Sequence, residues 1–380
     1  MKFVLAPDSF KESMTAKEAA AAMEAGIRKV FPEAECVLVP MADGGEGTVA
    51  SLVEATNGRI IRTEVTGPLG KKVTTEYGLL GDGETAVLEV ASASGIHLLR
   101  KEERDPLHTT SYGTGELIKE ALGLNVKRIL IGLGGSVTND GGVGLLQALG
   151  VSFKDVQGKE LPFGGGALDR LATIDADGLD PRIRSVHIEA ICDVTNPLIG
   201  KNGASYVFGP QKGATEEQVK LLDENLTHYA KIVYETTGKD VAHAPGAGAA
   251  GGIGAALIAF LNAEFKQGVD TVIEYTHLTE KMKGADFIFT GEGSIDGQTL
   301  YGKTPYGIAV RAKALNIPVI AFAGRIGKDA WKLYEHGFTA MIGILKEASP
   351  LDQALKDGKQ NLAEAVENIC RIIQLTYKTP

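Results

Sequence analysis

The stretch DFIFTGEGSIDGQTLYGKT, Asp286 to Thr304, opens as a short buried strand and closes on the pattern G-x-x-x-x-G-K-[ST], Gly297 to Thr304. A working P-loop sets its first glycine directly after the strand and starts its helix at the Gly-Lys pair, so that backbone N–H groups and the helix dipole converge on phosphate. Here the strand is expected to end at Thr290, leaving Gly291 to Asp296 between it and Gly297. No later strand ends in an aspartate suited to magnesium, and Pro305 is tolerated in a first helical turn and decides nothing. DFIFT is therefore read as one strand of an α/β domain without a P-loop.

The same strand style stands at the N-terminus in KFVLAPD, Lys2 to Asp8, followed by a helix whose Thr15 and Glu18 form a capping box and whose Ala19, Met23, Ile27 and Val30 share a face. CVLVP, from Cys36, predicts a second strand, and a helix with Val49, Leu52 and Val53 follows it, stopping at Asn57-Gly58. From Ile60 the period changes to strands joined by Gly/Pro turns, in IIRTEVTGPLGKKVTTEYGLL and TAVLEVAS, which marks a boundary.

Alternation then resumes: GTGELIKEALGL as helix, RILIGL as strand, GGVGLLQALG as helix, HIEAICD as strand, then helices near Glu216 to Thr236 and Ile253 to Phe260. Beyond DFIFT come a helix over Tyr306 to Ala314, strands PVIAFA and AMIGIL, and an amphipathic helix with Leu355, Leu362, Val366, Ile369 and Ile373 on one face. The expected fold class is α/β with two α/β domains. One is a parallel-sheet domain formed by both chain ends, residues 1–60 and 285–380, and the other a mixed α/β domain inserted at 61–284.

The composition, 44% apolar and 23% charged over 380 residues, is that of a soluble enzyme of more than one domain. A net charge of −9 argues against a nucleic-acid or anionic-membrane surface. Cys36, Cys192 and Cys370 are far apart with no C-x-x-C, which fits a reducing cytoplasm, and the N-terminal apolar run is too short for a signal peptide or a span.

Chemistry collects in the loops after strands. DSFKES, ADGGEGT and TGEGSIDGQT would lie together at the carboxyl edge of one parallel sheet, where open α/β folds bind ligands. They bring Asp8, Ser9, Lys11, Asp43, Gly44, Gly45, Glu292 and Asp296. GLGGSVTNDGG, Gly132 to Gly142, offers an anion site: Gly134 and Gly135 free backbone N–H groups, while Ser136, Thr138, Asn139 and Asp140 add polar side chains. CDVTNPL places Asp193 and Asn196 at another strand end. Donors for phosphate, carboxylates for Mg2+ and a base for an attacking hydroxyl are what phosphoryl transfer needs. Each Asp or Asn also has an ordinary role as a turn or helix cap. GAGAAG, Gly246 to Gly251, fits a dinucleotide fingerprint but follows a poor strand, so close helix packing is the expected use of its glycines.

APDSFKES, ADGGEGT, GTGEL, GGSVTNDGG, CDVTNPL, FGPQKGA, PGAGAAGG and TGEGSIDGQT, in that order, resemble the bacterial type-1 glycerate kinase family, and the likeness runs from the first residues to about Gly324. The resemblance implies a cytoplasmic kinase that moves the γ-phosphoryl of ATP, with Mg2+, to D-glycerate, giving 2-phosphoglycerate or, as the alternative, 3-phosphoglycerate. It further implies a flavodoxin-like domain with an inserted α/β domain resembling restriction-enzyme folds, and a site in the cleft between. On that reading Lys11 holds the glycerate carboxylate, Asp193 or Asp43 orients the attacking hydroxyl, Glu292 and Asp296 help hold Mg2+, and ATP phosphates lie near the Gly132 to Gly142 loop. The family pattern carries Arg where this chain has Ser294, and Arg325 is the candidate substitute. The competing readings are a nicotinamide-dependent oxidoreductase using GAGAAG and a non-catalytic nucleotide sensor.

Overall fold

The computed structural model describes residues 1–42, 44–45 and 47–377. Along the chain the strands are β1 (Lys2–Pro7), β2 (Glu35–Leu38), β3 (Arg59–Thr66), β4 (Lys72–Leu79), β5 (Thr85–Glu89), β6 (Arg128–Gly132), β7 (Ser152–Lys154), β8 (Thr173–Asp175), β9 (His187–Ile191), β10 (Glu264–Lys266), β11 (Phe287–Ile295), β12 (Val319–Ile326) and β13 (Phe338–Gly343). The chain divides into two compact units: Met1–Asp43 with Ala50–Thr56 and Val269–Pro380, and Gly44–Val49 with Asn57–Gly268.

In the first unit β13, β12, β11, β1 and β2 lie side by side in that order, every neighbouring pair parallel. Counted along the unit this is the order 2-1-3-4-5 of flavodoxin-like domains, and the order reverses between β1 and β11. Nearly continuous apolar runs are what a parallel sheet covered on both faces requires, and Phe3, Leu5, Phe289 and Phe322 are fully buried. The helix Ala16–Arg28 carries the expected Thr15/Glu18 capping box. Its Ala19, Met23 and Ile27 share a core with Leu362 and Val366 of the C-terminal helix.

Two local expectations need correction here. The strand begun by DFIFT does not stop at Thr290 but runs to Ile295, because Glu292, Ser294 and Ile295 continue the parallel ladder opposite Ala323, Arg325 and Ile326. The C-terminal helix is interrupted: Leu351–Lys356 and Gly358–Tyr377 are separate, so Leu355 lies on a different helix from Leu362.

The second unit holds the six-stranded sheet β10-β9-β6-β5-β4-β3, parallel from β10 to β5 and antiparallel from β5 to β3, with β7 and β8 as a separate pair. The strand expected over TAVLEVAS ends at Glu89, and Val90–Ser94 turns into a short helix that packs Val90 and Ala93 into the core. Among the described residues no helix is long and apolar enough to cross a membrane.

Candidate active site

In the first unit, β1 and β11 end beside each other at the reversal of strand order, the place where such sheets leave a crevice. A cavity of about 740 Å³ opens there, reached by Asp8, Lys11, Glu292, Lys303 and Arg325. The Asp8 carboxylate is held from two sides. The Ser9 N–H donates to its Oδ1 at 2.6 Å, and the Thr304 hydroxyl donates to its Oδ2 at 2.6 Å. The turn Phe10–Met14 closes through Phe10 N–H to Met14 O and Met14 N–H to Phe10 O. Glu12 in that turn takes φ 66, a left-handed conformation for a non-glycine residue, and Lys11 and Glu12 both reach the cavity.

Glu292 accepts hydrogen bonds from the Thr299 hydroxyl at 3.2 Å and the Lys303 ammonium at 3.3 Å, and the same ammonium donates to Ser294 O. Burial, aided by the nearby Asp8 carboxylate and opposed by Lys303, pushes the Glu292 pKa up to about 7. Two coupled carboxylates and a lysine therefore share one recess. Ser294 and Arg325 are register partners on β11 and β12 and line the same cavity, so a cation stands one strand away from the position where the family pattern carries one.

The Gly297 to Thr304 pattern fails as a P-loop for a different reason than its spacing. With β11 extended to Ile295, Gly297 follows the strand closely after all. The donors are spent, however: Gly297 N–H goes to Lys328 O, Gln298 N–H to Asp296 Oδ1 and Thr299 N–H to Asp296 O. Lys303 is paired with Glu292 rather than left to a phosphate cradle. Asp296, expected beside Glu292 as a metal ligand, instead caps the turn Gly297–Tyr301, and it is Asp8 that shares the cavity with Glu292. Hard carboxylate oxygens facing space for phosphate oxygens and waters suit Mg2+, which commonly takes only one or two protein carboxylates. Among the described residues no cluster of three or more His, Cys, Asp or Glu side chains is poised for a metal. The donor set therefore fits Mg2+ held jointly with substrate rather than in a protein cage.

In the second unit the loop after β6 looks inward. Asp140 is wholly buried, and its carboxylate accepts from Ser111 N–H and Oγ–H and from the Gly142 and Gly144 N–H groups at 2.8 to 3.3 Å. It ties two helix starts together. Asn139 donates to Ser205 Oγ at 2.8 Å, and both Ser136 Oγ and Thr138 O accept from the buried Lys212 ammonium at 2.8 and 2.7 Å. Burial lowers the Lys212 pKa to about 7, with Asp140 pulling the other way. Only Gly134 and Gly135 of this loop are exposed.

The ADGGEGT loop is divided, and only its start, at Ala42, belongs to the unit of the Asp8 and Glu292 loops. Gly44–Val49 belongs to the second unit, where a Cβ on Gly44, at φ +87, would lie 2.4 Å from the Ile191 side chain. Gly45 packs near Gly134. Asp43 lies outside the described residues. Asp193 is exposed two residues past β9 and accepts from the Gly268 N–H at 2.8 Å, while Asn196 donates to Asn202 O. The GAGAAG glycines serve packing: a Cβ on Gly251 would lie 1.9 Å from Thr138 O, and the element that leads into them is the helix Glu216–Thr237, not a strand.

Sequence reasoning gave no role to Lys303, Thr304 or Lys212. Lys303 and Thr304 were visible only as the end of a discounted motif. Lys212 carried one signal, its place in FGPQKGA between two glycines.

Residues 3–374 match the sequence model of the glycerate kinase family. A glycerate kinase of Haemophilus influenzae is 52% identical over 377 residues, 99% of this chain and 100% of that protein. A glycerate 2-kinase of Escherichia coli is 49% identical over 375 residues, covering 99% and 98%. A crystal structure of glycerate kinase 2 from Salmonella typhimurium LT2 superposes with a TM-score of 0.91 at 47% identity, with 100% of both chains covered. A match across nearly the whole length, at about half identity and on the same fold, means that the chain is a kinase and belongs to the glycerate kinase family.

Proposed function

We propose that this kinase transfers the γ-phosphoryl group of ATP to the O2 hydroxyl of D-glycerate, giving 2-phosphoglycerate and ADP. The observation that carries the reading is the pair of carboxylates, Asp8 and Glu292, facing one cavity with Lys303 where the strand order reverses. The E. coli relative is named for the 2-position, which favours O2 over O3.

In the transfer the glycerate hydroxyl oxygen bonds to the γ-phosphorus, the bond from that phosphorus to the β,γ-bridging oxygen breaks, and the hydroxyl proton passes to a carboxylate. Asp8 is held by Ser9 and Thr304 so that its orientation is fixed before substrate arrives, which lowers the cost of reaching reactive geometry. Asp8 and Glu292 would hold Mg2+, which supplies positive charge to the phosphate oxygens. Lys11, exposed at the cavity mouth, and Lys303 supply further cations for carboxylate or phosphate. In the second unit Asp193 is the candidate for orienting a hydroxyl, with Gly134 and Gly135 as backbone donors.

The test is a coupled assay with D-glycerate, ATP and Mg2+. Phosphoenolpyruvate formed with enolase alone is the expected result. A signal only after phosphoglycerate mutase is added moves the product to 3-phosphoglycerate, and ATP binding without any product makes the chain a sensor.

A further inference from the structure

The strand β3, Arg59–Thr66, forms one outer edge of the sheet in the second unit and is paired only with β4. Its eight residues make it the longest edge strand of the two large sheets, where β10 has three, β2 four and β13 six. Edge strands are ordinarily blunted by proline, by a bulge, by shortness or by a covering element. β3 contains no proline or glycine, pairs with β4 in unbroken register, and leaves Arg59, Ile60, Arg62 and Glu64 exposed.

The turn after β3 decides which of its backbone groups face outward. Gly67 N–H donates to Lys71 O, and Val65, Thr63 and Ile61 stand opposite Val73, Thr75 and Tyr77. Because bonded and non-bonded pairs alternate in an antiparallel ladder, these odd-numbered residues are the ones bonded to β4. The N–H and C=O groups of Ile60, Arg62, Glu64 and Thr66 therefore point away from the sheet. Thr66 N–H is taken by the Glu116 carboxylate, whereas no described residue bonds the outward groups of Ile60, Arg62 or Glu64. The exposed side chains carry both signs of charge. Arg62 pairs with Glu76 across β4 at 3.2 Å, and Glu64, two residues on and so on the same face, has no ion-pair partner among the described residues.

We propose that β3 is a dimerisation edge, which takes β3 of a second copy of this chain in antiparallel register about a two-fold axis at Thr63. In that register Arg62 lies opposite the partner's Glu64 and Glu64 opposite the partner's Arg62, and each pair exchanges its outward N–H and C=O groups. Glu64 gains the cation it lacks within its own chain. On the other face Ile61 meets the partner's Val65, which extends the apolar side of the sheet. Moving the axis to Arg62 or to Glu64 sets like charges directly opposite each other, which is unfavourable, so the charge order selects one register. A two-fold pairing consumes this edge in both copies and closes rather than growing into a fibre. β3 brings none of the residues given a role in phosphoryl transfer, and the interface stands apart from that reading.

The test is sedimentation of the full chain over a range of concentrations. A reversible dimer with a roughly micromolar Kd is expected, since one strand edge buries less than a standard interface. Arg62→Glu and Glu64→Arg each turn both cross-strand pairs repulsive and should raise the Kd at least tenfold, whereas the double variant restores opposite charges and should return it to within about threefold of the parent. Thr63→Cys stands on the axis in a non-bonded pair whose Cα atoms lie about 4.5 Å apart, and it should cross-link two chains on mild oxidation where the parent does not. These positions are exposed or half-buried, so all four variants should melt within a few degrees of the parent. A monomer at every concentration overturns the proposal. A dimer that neither single reversal weakens, or a loss that the double variant does not restore, overturns it equally. Restored pairing in the double variant together with the Thr63→Cys cross-link establishes both the edge and its register.

Discussion

Two loops of this molecule look alike on paper and do opposite things. TGEGSIDGQT after β11 and GLGGSVTNDGG after β6 both follow a buried parallel strand and both mix glycines with acids and hydroxyls. In the first, Glu292 faces a cavity and is coupled to Asp8. In the second, Asp140, Asn139 and Ser136 turn into the core, where Asp140 accepts from Ser111, Asn139 donates to Ser205, and Ser136 accepts from Lys212. Composition marks both loops as ligand sites, but it is burial that separates a group awaiting a ligand from one already satisfied by the protein. An acid with four donors around it has no capacity left for substrate; an acid with one lysine, one hydroxyl and a neighbouring carboxylate does.

The contrast breaks most directly in stability. Asp140→Asn keeps the shape but sets an amide group against N–H donors in a dry site, and it should cost about 3–5 kcal/mol. Asp8→Asn, beside open space, should cost less than about 1 kcal/mol. Urea denaturation of the two variants at neutral pH measures both, and equal losses would erase the distinction between the loops.

The second-largest effect is in pH dependence. The folded-state pKa of Glu292 is raised from 4.5 to about 7. The folded chain therefore binds that proton more tightly than the unfolded chain, and the stability it contributes is present below pH 4.5 and lost as pH rises through 7. In the metal-free protein the parent should lose ground to Glu292→Gln across that window, by up to about 3 kcal/mol. Lys212 has the opposite sign. Its pKa falls from 10.5 to about 7, so the folded chain binds the proton more weakly and the parent gains on Lys212→Met as pH rises above 7. Melting curves at pH values bracketing 7 test both, and two slopes of the same sign would contradict the burial argument.

Much of the architecture was legible before the structure. Short apolar strands alternating with capped helices at both chain ends, and a change of period after Ile60, are the marks of a parallel sheet interrupted by an insertion, and Thr15 with Glu18 fixed one helix start to the residue. The failures share a cause. The strand through Glu292 was cut short because GEGS reads as a loop by propensity, yet pairing with β12 overrides propensity in a central strand. Asp296 and Asp140 make capping bonds in the fold, and because caps and ligands use the same side chains, sequence alone does not tell the two uses apart. Lys303 and Thr304 were lost when the P-loop pattern was discarded whole, although the two residues that end it do face the candidate site.

In catalysis the expected loss is smaller than the structural cost of disturbing Asp140 but more specific. Asp8→Asn should lower kcat about 10²-fold, equivalent to about 2.7 kcal/mol, with the melting temperature nearly unchanged. Steady-state assay of the purified variant against D-glycerate decides this, and parent-like turnover would move the chemistry away from the β1–β11 crevice.

The finest test separates positioning from chemistry. Thr304 is buried, opens the helix Thr304–Ala314, and donates its hydroxyl to Asp8 Oδ2 at 2.6 Å. Thr304→Val keeps the volume and removes only that donor. A hydrogen bond to a charged group is worth about 1.5–3 kcal/mol where nothing replaces it. At the edge of a solvated cavity water recovers part of it, leaving about 1 kcal/mol, or roughly a fivefold fall in kcat. The variant should keep its KM for D-glycerate and melt within a few degrees of the parent. A double variant with Asp8→Asn carries the argument further: if the hydroxyl acts through the carboxylate, Thr304→Val should cost almost nothing once Asp8 is gone, because the pair then shares a single loss. Additive effects would mean that Thr304 supports the helix start and leaves the orientation of Asp8 to Ser9 alone.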